Sequence, residues 1–399
     1  KAVAVPALAP PAVPAVHVPT APAAARPPLA DRILAWRDGL LASPRFQRWA
    51  ASFPLTRPVA LRRSRRLFDL CAGFVYSQAL LACHRLGLLD ALAEGPCTPA
   101  ALAERLGLEA DALDRLLGAA LALELAERRP GGRIGLGPLG APLVGNGAVA
   151  AMLEHNALLY DDLRDPVALL RGRADTRLAR FWPYAAETGG SAAAPAAGET
   201  GGAAAYSALM AASQPLVAAE VLDAYDVSRH RRLLDVGGGE GAFLKAAAAR
   251  APELRLALFE LPAVADRARD TLRAVGLAAR AEVHAGDFRR DPLPGGADLA
   301  TLVRVLHDHP DDVVLAVLRA VHRALEPGGT LLVAEPMAGV RGAETVGAAY
   351  FAFYLLAMGS GRARTPDEYR GLLLAAGFRE ARVGRPRLPV QTALVVARK

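Results

Sequence analysis

Residues 233–241 read Leu233-Leu234-Asp235-Val236-Gly237-Gly238-Gly239-Glu240-Gly241. An apolar strand breaks here into a glycine-dense turn, and a helix-prone segment, Ala242 to Arg250, follows. Glycine permits positive φ angles and a close approach of backbone to ligand, and open α/β sheets bind ligands outside the carboxyl ends of their strands. The next strand, Leu254 to Phe259, ends in Glu260, where a carboxylate can accept hydrogen bonds from ribose hydroxyls. Turn and acid together predict a nucleotide-cofactor site, whereas the turn alone also fits a plain strand-to-helix connection.

The order of the glycines bears on which nucleotide binds. A dinucleotide site leaves room for a pyrophosphate with the order G-x-G-x-x-G, but this turn reads G-G-G-E-G. Glu240 at the mouth of the turn repels a pyrophosphate and suits a cation, which favours a sulfonium such as S-adenosylmethionine. A third strand, Ala281 to Ala285, ends at Gly286-Asp287-Phe288, where the acid can accept from an adenine amino group and the ring can lie against the base. The alternative is a strand-end turn in which Asp287 caps its own backbone.

The C-terminal half of the chain predicts a parallel sheet. Strands and helices alternate up to Gly329, which is the pattern of a doubly wound α/β fold. Two β-prone runs, Phe378 to Gly384 and Gln391 to Arg398, then predict an antiparallel hairpin at the sheet edge. The predicted fold class is therefore α/β, with a Rossmann-like, seven-stranded, doubly wound sheet that has one antiparallel edge strand.

The N-terminal half is mainly helical. Thr98 is a good N-cap for a helix that Gly107 closes, a second helix is predicted from Ala110 to Glu127, and residues 130–136 predict a hairpin. Two helices followed by a hairpin describe a winged helix-turn-helix. The second helix is mainly acidic. It carries more acidic residues than basic ones, namely Glu109, Asp111, Asp114, Glu124 and Glu127 against Arg115, Arg128 and Arg129. Because DNA repels such a helix, we expect a dimerisation module and no nucleic-acid partner.

Composition sets the predicted domain boundaries. Residues 1–30 repeat Pro and Ala without a hydrophobic period and predict a disordered tail. Residues 186–204 consist mostly of Ala and Gly and predict a linker. Residues 31–185, between the tail and the linker, are predicted to form the winged-helix dimerisation domain. Residues 205–399, after the linker, are predicted to form the cofactor-binding domain.

Charge and cysteine content constrain the location of the protein. The chain has 399 residues, of which 53% are hydrophobic and 22% charged, and its net charge is +7. Three cysteines without C-x-x-C spacing suit a reducing compartment, and we see neither a signal peptide nor a continuous apolar run of about 20 residues. A cytoplasmic protein, soluble or peripheral on the inner (intracytoplasmic) membrane, is expected. The arginines 62, 63, 65 and 66 can contact anionic lipid headgroups, or they form a solvated helix face.

A histidine follows a central strand on the edge of the sheet that carries the glycine turn. His307 comes after the strand Leu299 to Val303, and we predict that it is a catalytic base, with Asp308 beside it. Glu335 ends the next strand and can hold the other ring nitrogen of His307. The alternative for both residues is an ordinary structural role at a strand end. His307-Asp308-His309 lacks the further ligands that a metal site needs, so no metal is predicted.

These motifs, taken in order, resemble those of the S-adenosylmethionine-dependent O-methyltransferases of the plant caffeate and bacterial small-molecule type. The resemblance rests on residues 233–241, Phe259-Glu260-Leu261-Pro262, Gly286-Asp287-Phe288, Val305-Leu306-His307-Asp308 and Glu326-Pro327-Gly328-Gly329, and it covers about 68–399. It implies S-adenosylmethionine as cofactor, a homodimer, His307 as base, and Glu335 as the residue that orients it. The residues it implies for cofactor binding are Asp235, Gly237, Gly238, Gly239, Gly241, Glu260, Leu261, Asp287, Phe288 and Arg304.

The resemblance is closest to the bacterial branch that methylates 1-hydroxycarotenoids, which implies a lipophilic acceptor. The aromatic segment Ala348 to Met358 can line a tunnel for a polyene or be a buried core helix. Two other functions remain open from the sequence, namely methylation of a phenolic polyketide or quinone and regulation by a winged-helix sensor of S-adenosylmethionine. The chain also departs from the plant enzymes, because it has His309 in place of a Trp and Ala363-Arg364-Thr365 where they carry a second orienting Glu. Only one support for His307 is therefore visible in the sequence.

Overall fold

The computed structural model describes residues 28–181, 201–384, 387 and 392–399. Most of the predicted tail and most of the predicted linker lie outside these described residues. The chain divides into two compact units, Lys1–Gln78 and Ala79–Lys399. The domain boundaries expected from composition stay a prediction.

The described part of the first unit contains α1 (Leu29–Ala42), α2 (Pro44–Ser52) and most of the long α3 (Arg57–Arg85). Helix α3 continues into the second unit. Large apolar side chains are exposed along α3, among them Phe68 and Phe74, each 65% exposed. Although the sequence predicts no membrane span, α3 is long and apolar enough to cross a membrane by length and composition alone. The charged residues 62, 63, 65 and 66 lie on the same helix, and all four are exposed.

The predicted winged helix is present at the start of the second unit. It consists of α4 (Leu88–Ala93), α5 (Pro99–Leu106), α6 (Ala110–Ala122), β1 (Ala126–Arg128) and β2 (Ile134–Leu136), with β1 and β2 antiparallel. Helix α6 ends before the predicted Glu127, because the backbone of Glu124 turns to a φ of 56° and β1 then pairs with β2. The buried side chains of Leu102, Leu113 and Ile134 form its core.

Four helices connect the winged helix to the sheet: α7 (Gly147–Asp162), α8 (Pro166–Leu170), α9 (Arg177–Phe181) and α10 (Gly201–Ala224). Helix α10 begins inside the predicted linker. Leu159 of α7 and Leu178 of α9 pack in one buried cluster with Tyr354 and Leu355 from a later helix. The region between the winged helix and the sheet therefore shares a core with a C-terminal segment.

Seven strands form the main sheet, as the sequence predicts. They are β3 (Arg232–Val236), β4 (Arg255–Glu260), β5 (Ala281–Ala285), β6 (Ala297–Val303), β7 (Leu325–Glu335), β8 (Glu380–Val383) and β9 (Ala393–Arg398). Their order is β5-β4-β3-β6-β7-β9-β8. All neighbouring pairs from β5 to β7 are parallel, and β9 runs antiparallel to both β7 and β8. The one reversed strand is thus the inner strand of the edge hairpin.

Helices cover both faces of the sheet. They are α11 (Ala242–Arg250), α12 (Pro262–Ala274), α13 (Asp311–Ala324), α14 (Phe351–Met358), which follows a π-helical turn at Val346–Tyr350, and α15 (Pro366–Ala375). Alternate residues of each strand enter opposite cores, since Leu234 packs on the side of α13 and α15, and Leu233 on the side of α10 and α11. This period of two is the expected geometry of a strand buried on both faces.

Candidate active site

The site lies at the carboxyl ends of four adjacent parallel strands. In the order β4-β3-β6-β7 these strands end at Glu260, at the glycine turn, just before Arg304 and at Glu335. Parallel neighbours end at the same edge, and the sheet order changes direction between β3 and β6. Such a switch point is the usual ligand site of a doubly wound fold.

The glycine turn needs glycine for two separate reasons. Gly237, Gly239 and Gly241 have φ angles of 70°, 57° and 79°, which side-chain-bearing residues rarely adopt. A Cβ on Gly237 would lie 2.9 Å from the side chain of Val305, and one on Gly238 would lie 2.2 Å from Oδ2 of Asp235. The turn is therefore packed from below, while Gly239 has open space where its Cβ would be.

Glu260 is fixed by two backbone donors. The N–H of Gly239 donates to Oε2 at 2.9 Å, and the N–H of Leu261 donates to Oε1 at 2.8 Å. Burial raises the pKa of Glu260, and these hydrogen bonds partly oppose that rise. Each carboxylate oxygen keeps a second lone pair, so the pair can accept from two vicinal hydroxyls.

Asp235 lies beneath the turn and has no exposed surface. The hydroxyl of Thr301 donates to its Oδ1 at 2.6 Å, whereas Oδ2 has no hydrogen-bond partner within the described part of the chain. Burial raises the pKa of Asp235 to about 7. We expect Asp235 to act on a cofactor through the turn that it supports.

The structure weakens the prediction that the charge of Glu240 favours a cationic cofactor, because Glu240 has a basic partner. Oε1 of Glu240 accepts from Nε of Arg267 at 2.9 Å, and both side chains are partly exposed. Because Arg267 offsets the charge at the mouth of the turn, Glu240 alone does not select a cation there.

Asp287 is held by a residue that the sequence does not single out. Arg289 donates from Nε to Oδ1 at 2.9 Å and from Nη2 to Oδ2 at 2.8 Å. Burial alone would raise the pKa of Asp287, but the hydrogen bonds from Arg289 outweigh it and lower the pKa. The ring of Phe288 lies edge-on to His309 at a centroid distance of 5.4 Å, and burial lowers the pKa of His309 to about 4. An adenine amino group would share Asp287 with Arg289.

The structure brings His307 and Glu335 together. Nδ1 of His307 lies 2.6 Å from Oε2 of Glu335, and the N–H groups of Val305 and Leu306 donate to Oε1 at 3.0 and 2.7 Å. Glu335 thus binds the imidazole and the backbone that carries it. Both residues are buried.

Asp308 contacts the opposite nitrogen of the ring. Its Oδ1 lies 3.1 Å from Nε2 of His307. Burial disfavours the charged imidazole, but Asp308 and Glu335 outweigh burial and raise the pKa of His307 above 6.5. Burial raises the pKa of Asp308 to about 6, although His307 opposes that rise. The imidazole therefore lies between two acidic side chains, with Asp308 at Nε2 and Glu335 at Nδ1.

Arg304 occupies a strained position at the end of β6. Its φ angle is 58°, a conformation that costs of order 1–3 kcal/mol for a residue other than glycine. Its N–H donates to the carbonyl of Ala334 at 2.8 Å, and Nη1 donates to Oγ of Ser213 on α10 at 2.6 Å. The strained backbone starts the turn that leads to His307.

A loop after α14 binds four consecutive carbonyls of that turn, which the sequence does not reveal. Arg364 donates from Nη1 to the carbonyl of Leu306 at 3.0 Å and from Nη2 to that of His309 at 2.7 Å. The N–H of Arg362 donates to His307 O at 2.9 Å, and the hydroxyl of Ser360 donates to Asp308 O at 2.8 Å. The one signal in the sequence is the departure at residues 363–365.

The predicted tunnel segment divides into two parts. Phe351, directly after the π-helical turn, lies edge-on to His307 with a centroid distance of 6.0 Å. Oη of Tyr354 lies 2.8 Å from Nε2 of His155, whose pKa burial lowers to about 4. Leu355 and Met358 are buried in the core. The start of the segment therefore adjoins His307, and its end is core helix.

Within the described residues, no group of three or more His, Cys, Asp and Glu side chains is arranged to hold a metal ion. The groups gathered at the sheet edge are instead hydrogen-bond acceptors around a glycine turn and a buried histidine. They suit a neutral or cationic nucleoside and a proton-losing acceptor.

Comparison with known proteins gives matches along most of the chain. Residues 160–379 match an O-methyltransferase domain, and residues 68–153 match an O-methyltransferase dimerisation domain. The chain is 43% identical over 362 residues to demethylspheroidene O-methyltransferase of Cereibacter sphaeroides, covering 90% of this chain and 94% of that one. It is 43% identical over 354 residues to the protein of the same name from Rhodobacter capsulatus, covering 87% and 85%. The crystal structure of human N-acetylserotonin methyltransferase in complex with SAM superposes with a TM-score of 0.67 at 27% identity, covering 84% of this chain and 97% of that one.

Proposed function

The chain belongs to the S-adenosylmethionine-dependent O-methyltransferases, and we propose that its acceptor is the tertiary 1-hydroxyl group of an acyclic carotenoid of the demethylspheroidene or hydroxyneurosporene type. The observation that carries this proposal is the 43% identity, over about nine-tenths of the chain, to the Cereibacter sphaeroides protein. The predicted resemblance to the O-methyltransferase family is confirmed by the two family matches.

The residues at the glycine turn fit S-adenosylmethionine. Gly239 leaves open space above the turn, and the fixed carboxylate of Glu260 can accept from the ribose hydroxyls. Asp287 and Phe288 would hold the adenine, and Gly237 and Gly239 would line the methionine part. Bound S-adenosylmethionine supplies a methyl group that is electrophilic because it is attached to a sulfonium.

His307 would remove the proton of the acceptor hydroxyl. When Nδ1–H of His307 donates to Glu335, the lone pair lies on Nε2, which can take a proton. Although Asp308 and Glu335 raise the pKa of His307, an imidazole remains too weak a base to ionise an alkanol in advance. The proton therefore passes to Nε2 of His307 while the acceptor oxygen forms its bond to the methyl carbon. Asp308 would stabilise the imidazolium that results, since it lies 3.1 Å from the same nitrogen.

An aromatic wall beside the base supports an apolar acceptor. Phe351 faces His307, and the ring of Tyr350 lies 5.3 Å from that of Phe351. The hydroxyl of Tyr350 donates to Asn156 at 3.0 Å, so its polar end is satisfied away from the base. A polyene chain can lie against such rings without leaving a buried polar group unpaired.

The long helix α3 divides into a basic and an apolar part. The dimerisation-domain match begins at residue 68, and this part of the helix carries exposed apolar side chains such as Phe68 and Phe74. We assign this part to a second copy of the chain in a homodimer. The exposed arginines 62–66 precede it, and we assign them to peripheral contact with the anionic inner membrane, where a polyene alcohol dissolves.

One assay tests the acceptor. The purified protein is incubated with methyl-labelled S-adenosylmethionine and either demethylspheroidene in detergent or a panel of phenols and quinones. We expect label in the carotenoid methyl ether. Label in a phenol alone would assign a phenolic acceptor instead, and label in neither, with sequence-specific retention of DNA, would support a regulator.

A further inference from the structure

We infer that Arg364 is a positioning residue for His307, which it holds through the backbone of residues 306–309. This inference rests on the proposed role of His307 as the base. The guanidinium is 0% exposed, and it touches the carbonyls on both sides of the His307-Asp308 pair. It does not touch the imidazole or any group assigned to the cofactor.

The turn at 306–309 is held from two sides. Glu335 binds the N–H groups of Val305 and Leu306, whereas the carbonyls from Leu306 to His309 are bound by the loop after α14. The sequence shows only the first of these supports. A buried carbonyl that loses its donor carries the cost of its desolvation without compensation, so without the loop the turn would move toward other partners and carry the imidazole with it.

Close packing reinforces the contact between loop and turn. Gly361 has a φ of 76°, and a Cβ there would lie 2.0 Å from the carbonyl oxygen of His307. The backbone carbonyl of Arg364 accepts from the N–H of Ala338 at 3.0 Å, which ties the loop to the segment directly after β7. One strand end therefore anchors both Glu335 and the arginine loop.

Arginine suits this position because its donors form a planar fork. Nε donates to Oδ1 of Asp311 at 2.7 Å, which neutralises the buried charge, while the two terminal nitrogens reach carbonyls three residues apart. Lysine keeps the charge but presents a single ammonium on a flexible stem. It cannot bind Leu306 O, His309 O and Asp311 in the same geometry.

The pH profile separates positioning from simple stabilisation of the fold. The charged groups that face His307 are Asp308, Glu335 and Arg304, and α14 contributes the uncharged ring of Phe351. A turn that drifts from Glu335 weakens the interaction that favours the imidazolium. The acidic limb of kcat/KM would then move to lower pH, which a loss of stability alone does not cause.

The experiment compares Arg364→Lys, Ser360→Ala and the wild type, with Arg370→Lys as matched control and His307→Ala as reference. Arg370 lies on α15 and binds Asp367 and the carbonyl of Ala381, away from the turn. We measure S-adenosylmethionine binding by calorimetry, thermal unfolding, and kcat and KM for demethylspheroidene across pH. We expect Arg364→Lys to lose about 10–100-fold in kcat with cofactor affinity retained and the acidic limb moved to lower pH. Ser360→Ala should lower kcat and move the acidic limb to lower pH by smaller amounts, and Arg370→Lys should change neither kcat nor the acidic limb.

Two results would overturn the inference. One is a folded, cofactor-binding Arg364→Lys protein with the wild-type kcat and pH profile, and the other is a lower melting temperature with an unchanged profile. If Arg364→Lys does not fold, an unchanged profile in Ser360→Ala decides against it. Full activity in His307→Ala would instead contradict the proposed base, which keeps the two failures distinct.

Discussion

The imidazole of His307 has a carboxyl oxygen on each of its nitrogens, and its removal should affect chemistry and leave cofactor binding intact. We expect His307→Ala to lose about 10²–10⁴-fold in kcat, the usual contribution of a general base. Glu260→Ala is the reciprocal variant, because it deletes the proposed ribose acceptor. It should weaken S-adenosylmethionine binding by about 1.5–3 kcal/mol. Calorimetric titration measures the cofactor affinity of both variants, and a turnover assay measures their kcat. An unchanged kcat in His307→Ala would contradict the proposed mechanism.

Glu335 should set the pH at which the enzyme becomes active. The proposed base, His307, must be neutral to accept a proton, so kcat/KM should fall as the pH drops through the pKa of His307, which Asp308 and Glu335 raise. Glu335→Gln removes one negative charge, lowers that pKa, and should move the acidic limb to lower pH while reducing kcat. Glu326→Gln, on the same strand but paired with the exposed Arg231, is the control. A limb that stays in place in Glu335→Gln would show that another group titrates.

At the scale of single residues, the sequence predicts the site residues that lie at the ends of strands. Glu260, His307 and Glu335 follow from one rule, that parallel strands finish at the same edge, and the structure places all three there. Arg289 and Arg364 escape prediction because their partners are set by folding. Arg364 lies far along the chain from the turn that it binds, and no local pattern marks a buried arginine that binds carbonyls.

At the scale of elements, the glycine turn leaves no room for an added side chain at Gly238. Gly238→Ala would place a Cβ 2.2 Å from Oδ2 of Asp235 and 2.6 Å from Leu258. We expect a loss of about 1–3 kcal/mol in the free energy of unfolding, as for other overpacked positions, and weaker binding of S-adenosylmethionine. Denaturant unfolding and calorimetry measure the two effects.

Gly371 provides the matched substitution. It lies inside α15, and a Cβ there would meet nothing within 4 Å, so Gly371→Ala should raise stability by roughly 0.5–1 kcal/mol. Cofactor affinity should not change. Equal effects of the two alanines on the unfolding free energy would contradict the packing argument.

Element boundaries show where sequence patterns run out. The helix period continues past Ala122, yet the chain leaves the helix because Glu124 turns and Ala126 pairs in β1. Pairing of β1 with β2 outweighs local helix propensity there. Within the π-helical turn at Val346–Tyr350, Gly347 packs against backbone outside that turn, since a Cβ there would lie 2.1 Å from the carbonyl oxygen of Met337.

At the scale of the whole molecule, the arginines of α3 should make membrane binding depend on salt. Each basic residue near an anionic surface contributes about 1 kcal/mol, and salt screens that attraction. We expect the protein to sediment with anionic vesicles at low salt, less so at high salt, and little with neutral vesicles. Replacing Arg62 and Arg63 with glutamine should weaken binding more than the same change at Arg128 and Arg164, which are also exposed. Equal sedimentation with neutral and anionic vesicles, or none with either, would remove the membrane contact and leave the enzyme assignment intact.

The placement of β9 has a consequence for the order in which the molecule can be built. Strand β9 pairs with β7 from Thr330 to Glu335, although the two are far apart in the chain. While a ribosome is still synthesising the residues between them, one edge of β7 has no partner, and such an edge can pair with the wrong chain. Glu335 ends that strand, so the proposed support of His307 is completed only after residues 393–398 have emerged. The glycine turn on β3 has its neighbouring strands earlier, so a nascent chain would complete the proposed cofactor turn before the proposed base.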